Sequence, residues 1–172
     1  MKTPLARLVV CLAAFAAGCG DPVRSGAISA LGGETPGVPK GPLHRPGQPC
    51  TVCHGGEGPA STQFSVAGTV FEFPTEPTPL VDGVVELEDS TGKIFYTGTN
   101  CAGNFFVGID DFLPNWPLFV KVIFANDETP MSSPIYREGS CAACHKNPPS
   151  ASTLGQVYFS GPGVIFPANQ CQ

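Results

Sequence analysis

Between residues 64 and 125 apolar positions tend to recur at every second residue, the spacing of a strand that buries one face, and not at helical intervals. The run FSVAGTVFEF, residues 64–73, is rich in Val, Phe and Thr and stops at a Pro-rich turn. VDGVVELEDS then sets Val85 and Leu87 against Glu86 and Glu88, the mark of a half-buried strand. TGKIFYTGTN follows across a turn of the two-residue type, which predicts a hairpin. GNFFVGI and PLFVKVIFA continue the series, and GQVYFSG, residues 155–161, supplies a last strand much later in the chain. Helical periodicity is sustained nowhere and is only weakly present around residues 47–62 and 139–153. The pattern predicts a mainly β fold, a single antiparallel β-sandwich, with loop or short-helix segments before its first and last strands. Carboxylates scatter over strand faces and loops, where solvation accounts for them, so no catalytic residue is predicted.

Composition agrees: 13% of residues are charged, while 21 Gly and 19 Pro interrupt the chain, which favours short strands and turns over long helices. The N-terminal end is of another kind. Lys2 and Arg7 precede the apolar LVVCLAAFAA, a run too short to span a bilayer, so residues 1–18 read as a signal peptide. AAGC then puts small residues directly before Cys19. This resembles a bacterial lipobox, with Ala16 where Leu is usual, and implies that Cys19 carries lipid and anchors the chain to a membrane. An ordinary signal peptide cut at a nearby Ala-x-Ala-like site is the alternative, and both imply export. Gly20, in place of an inner-membrane retention aspartate, leans toward the outer membrane, with the protein periplasmic or at the cell surface. Residues 19–46 are rich in Gly, Pro and Ser without an apolar period and read as a flexible tether. Residues 47–172 remain as one domain, long enough for a real core. Nine Lys and Arg stand against fourteen Asp and Glu, and the signal takes Lys2 and Arg7 but no acid. No basic stripe is left, which argues against a nucleic-acid partner.

The chemistry lies in the cysteines. Once Cys11 leaves with the signal and Cys19 is lipidated, four fall in the repeated pentapeptide Cys-x-x-Cys-His, at Cys50, Cys53 and His54 and again at Cys141, Cys144 and His145. This is the attachment signature of c-type haem. Two thiols add across the two vinyl groups, the two intervening residues let both sulfurs reach one porphyrin edge, and the histidine offers its imidazole to the iron. Two copies in an exported chain with three histidines in all predict two c-type haems, with His54 and His145 as proximal ligands. His44 and Met131, each upstream of one motif, are the candidate distal ligands. Three other readings use the same cysteines: redox-active Cys-x-x-Cys pairs, one four-cysteine zinc site, or structural disulfides. The remaining pair, Cys101 and Cys171, most simply forms a disulfide, with two buried free thiols as the alternative. In its two motifs the chain resembles small multihaem c-type cytochromes, which implies electron transfer with redox partner proteins.

The intervening segment carries a second resemblance. VAGTVF, then LVDGVVELEDSTGKIFYTGTNCAGNFFV, then PLFVKVIF look like the carboxypeptidase-regulatory-like, transthyretin-type β-sandwich family, which implies an Ig/transthyretin-like arrangement of the strands. Cys101, between Asn100 and Gly103, departs from that pattern. A short repeat links the motifs to the strands. AST follows His54 at residues 60–62 and His145 at residues 151–153, and each copy leads into a strand, at Gly68 and at Gly155. If those strands pair in parallel, as first and last strands of Ig-type sandwiches do, both motifs emerge at one end of the domain. The reading is therefore an exported dihaem electron carrier. Its rivals are a cell-surface β-sandwich binding or adhesion module stapled by disulfides, and a haem oxidoreductase of the peroxidase type.

Overall fold

A computed structural model describes residues 21–34, 36–160, 164–166 and 171. The signal peptide 1–18 and the lipid-bearing Cys19 lie outside the described residues. The chain divides into two units, one ending at Gly32 and one running from Gly33.

In the first unit, Pro22–Ala30 forms helix α1, within the stretch read as a tether. Its signal is capping rather than amphipathicity. Asp21 accepts from the amides of Val23 and Arg24, both at 3.0 Å, and Pro22 opens the first turn, while no residue of the helix is buried.

The second unit is mainly β, a sandwich of two antiparallel sheets with no closed barrel. One sheet pairs β1 (Phe64–Thr69) with β4 (Asn104–Gly108). The other runs β3-β2-β5-β6, with β2 at Val84–Asp89, β3 at Ile94–Gly98, β5 at Leu118–Phe124 and β6 at Asp127–Pro130. Val66, Phe105 and Val107 of the first sheet meet Val85, Leu87, Leu118 and Val122 of the second in one core. Phe112 joins it from the loop after β4 and stacks on Phe95 at 5.3 Å.

One turn and two strands depart from the sequence reading. The β2–β3 hairpin closes through three residues, not two: the amide of Asp89 bonds the carbonyl of Lys93, and Gly92 takes φ +80°. Strand β6 was not expected, because DETP is polar and ends in proline. It pairs with β5 through Ala125 and Asn126, at φ +52° and +72°, and its proline sits on a sheet edge where no ladder donor is missed. The last strand, expected over residues 155–161, reduces to a single bridge at Tyr158 among the described residues.

Two carboxylates assigned to solvent are buried instead. Glu86 is covered by its cross-strand neighbour Lys121, whose ammonium lies 3.1 Å away. Asp89 closes the hairpin, accepting from the hydroxyl and amide of Thr91 and from the amide and side chain of Asn115. The Thr91 hydroxyl, then the Asn115 amide, hold this carboxyl far below the usual carboxylate range. A folded value below the unfolded one of about 3.9 means that the stabilisation is complete above it and is lost as pH falls toward the folded value. Asp89→Asn should therefore lower the melting temperature at neutral pH and narrow its gap to wild type in strong acid. A constant gap across pH in thermal melts would count against this role.

Candidate functional site

Each Cys-x-x-Cys-His folds as one helical turn, α2 at Thr51–His54 and α3 at Cys141–Cys144. The closing bond is the same in both: the amide of His54 donates to the carbonyl of Cys50 at 2.9 Å, and that of His145 to Cys141 at 2.8 Å. Residues at i, i+3 and i+4 of a turn share a face, so each motif presents two sulfurs and an imidazole together. All four cysteines carry free thiols.

The chain then folds back on each turn in the same way. The carbonyl of Cys53 accepts from the amide of Ala60 at 3.0 Å, and that of Cys144 from Leu154 at 2.9 Å. Nδ1 of His54 lies 2.9 Å from the carbonyl of Thr62, and Nδ1 of His145 lies 3.1 Å from that of Gly155. A ring N–H donated to a backbone carbonyl fixes the tautomer and leaves Nε2 as the lone-pair nitrogen, the arrangement of a metal-ligating histidine. The first AST segment supplies its clamps itself, at Ala60 and Thr62, whereas at the second motif they come from Leu154 and Gly155, directly after the AST segment. One precedes β1, and the other precedes the residues beside Phe71, where Phe71 and Tyr158 form a parallel bridge.

Both motifs consequently flank β1, and every position from Val66 in the strand to Phe71 just beyond it is buried because the core covers one face and the motif segments the other. Ala67 forms a parallel bridge with Ser140, just ahead of Cys141. Gly68 gives the cysteine room: a Cβ there would lie 2.8 Å from Cβ and Sγ of Cys141 and 3.0 Å from the Phe105 ring. Gly68→Ala should cost about 1–3 kcal/mol by overpacking, read from urea unfolding, and unchanged stability would mean that the motif segment yields freely.

A hydrogen bond links the first motif to the residues just ahead of the second, from the hydroxyl of Thr51 to Oε1 of Glu138 at 3.3 Å, and the same oxygen accepts from the amide of Ser140. The thiols sense this crowding. Burial, with Cys53 adding, pushes Cys50 up to about 11, and burial followed by the nearby Cys50 pushes Cys141 up to about 12. Among the described residues no group of three or more Cys, His, Asp or Glu side chains is placed to hold a metal ion.

At its end, from Pro42 to Gly47, the segment leading into the first motif is held against the β-strands. The side chain of Asn104 donates to the carbonyls of Pro42 and His44, and the amide of Gly47 donates to the hydroxyl of Thr69. These bonds carry His44 to His54, with ring centroids 5.9 Å apart. His54 stacks in turn on Phe64 at 4.5 Å, and Phe64 on Phe106 at 5.0 Å. Met131 lines a cavity of about 340 Å³ together with Cys141, Cys144, His145 and Leu154. Nothing in the local sequence announced Gly68, Glu138 or the Thr69–Asn104 pair, because their roles come from strands brought together over long separations.

The expected disulfide is present: Cys101 and Cys171 are bonded with Cα atoms 5.6 Å apart. Compared with known proteins, the chain matches no family model, no curated protein and no solved structure.

Proposed function

We propose that the protein is an exported dihaem c-type cytochrome that acts in electron transfer, anchored to a membrane through lipid on Cys19. The observation that carries this reading is the paired geometry of the motifs. In each, two free thiols and an imidazole share one helical turn, and the imidazole's Nδ1 is tied to a backbone carbonyl. A redox-active or zinc-binding Cys-x-x-Cys has no need of that histidine clamp.

The residues fit the group. Cys50 and Cys53 would hold the first haem by thioethers and Cys141 and Cys144 the second, with Nε2 of His54 and of His145 directed to iron. The cavity beside the second motif has the size of a small-molecule site. Haem bound in this way supplies a one-electron ferrous–ferric couple. The chain's own work is to orient the imidazoles through Thr62 and Gly155, to half-bury the first cysteine of each motif, and to keep the motifs adjacent on β1. The Cys101–Cys171 disulfide suits an oxidising compartment, in keeping with export to the periplasm or cell surface, at the outer membrane. Redox partner proteins would supply and remove the electrons.

The test is production with haem-attachment machinery present, followed by denaturation and a haem stain with mass measurement. Two haems retained per denatured chain is the expected result. Retention of none would return the β-sandwich binding module as the better reading.

A further inference from the structure

The surroundings of the two histidines differ, and the difference bears on iron. A metal–imidazole bond of about 2 Å puts each ring centroid about 3 Å from the metal, so imidazoles on opposite sides of one ion stand about 6 Å apart. His44 and His54 stand at 5.9 Å. His44 is also a placed residue: its carbonyl accepts from Asn104, and its Nδ1 lies against both the amide and the carbonyl of Gly41, so the ring is anchored through Nδ1 and not through Nε2.

No second histidine exists for His145, since the chain has three. The donors on its cavity wall are few. The ammonium of Lys121 lies between Glu86 and Glu128, 3.1 Å from each, and so offers no lone pair. Oε1 of Glu138 is engaged by Ser140 and Thr51. The Tyr158 hydroxyl would have to shed a proton before binding strongly. Met131 offers a neutral, soft thioether, and its backbone is fixed by a bond from its amide to the carbonyl of Val120 at 2.9 Å.

We infer that the two sites carry unlike distal ligands, His44 across from His54 and Met131 across from His145, and that the second site has the higher reduction potential. This rests on the haem reading of both motifs. Thioether ligation raises the potential of a histidine-ligated haem, so one chain would hold a lower and a higher couple side by side.

Redox potentiometry of the intact dihaem protein, followed by absorbance and electron paramagnetic resonance, tests it. Wild type should give two resolved one-electron steps and a sulfur-to-iron charge-transfer band. Met131→Leu, which conserves volume, should abolish that band and lower only the higher step. His44→Ala should turn only the lower-potential haem high-spin, and added imidazole should restore its low-spin spectrum. Chains that keep both covalent haems but show unchanged spectra and potentials in either variant overturn the ligand assignment while leaving the proposed function standing. A denatured wild type without covalent haem removes both.

Discussion

Cys50→Ala/Cys53→Ala should leave a denatured chain with one covalent haem, and so should Cys141→Ala/Cys144→Ala; the fourfold variant should carry none. The losses are expected to be independent in stoichiometry, because each motif is a self-contained turn closed by its own histidine amide. They should not be equivalent in their effect on the fold. Cys141 packs against the core and against Gly68, whereas Cys50 lies outside the core cluster. Truncating Cys141 opens a gap beside β1, and the lost contacts of a small half-buried side chain cost on the order of 1–2 kcal/mol. The second double variant should therefore unfold at lower urea than the first when both are compared without haem. Mass spectrometry of denatured chains reads the stoichiometry, and urea curves read the asymmetry. Two haems persisting in either double variant would mean that the cysteines are not the attachment points.

The strands were legible because their signal is local. Val85 and Leu87 sit in the core at the positions that alternation assigns them. Alternation fails at β1, where Ala67 and Thr69 are buried along with Val66 and Val70, since the motif segments cover the face that a lone strand would leave wet. Glu86 and Asp89 read as solvated because sequence gives no sight of Lys121 or Asn115 across the sheet. Strand β6 and helix α1 were illegible for opposite reasons, one too polar to register as a strand and the other held by its cap rather than by an apolar face.

The site divides along the same line. The two pentapeptides were plain in the sequence, because their chemistry is contained in five adjacent residues. Their adjacency in space was foreseen only through the matching AST segments, and it depends on contacts far apart in the chain, Phe71 with Tyr158 and Thr51 with Glu138. The docking of residues 42–47 had no signal at all. A segment of Gly, Pro and charge has no apolar pattern to show it, and the buried side chains of Asn104 and Thr69, some sixty and twenty-two residues later, take up its backbone groups.

Cys101→Ser/Cys171→Ser should lower stability by about 4 kcal/mol, the chain-entropy value for a loop of this length, and the melting temperature by on the order of 10 °C. The bridge spans a sequence separation of 70, so without it the unfolded chain regains much freedom. Its position carries the effect toward the first motif. Cys101 lies in the turn that joins β3 to β4, where the side chain of Asn100 accepts from the amides of Ala102 and Asn104 and donates to the carbonyl of Pro42. Gly103 closes that turn at φ +71°, so near β1 that a Cβ would lie 2.3 Å from the carbonyl of Val70. The bridge thus pins Cys171 to the same turn that helps hold Pro42, and through Asn104 His44, beside the first site. Reduction by a mild thiol, which leaves thioethers intact, should then loosen the first site before the second while both haems remain attached. Hydrogen exchange at residues 42–47 and the spectrum of each haem would follow it. Equal loosening at both sites, or a melting temperature unmoved by the double substitution, would show that the bridge does not support this turn.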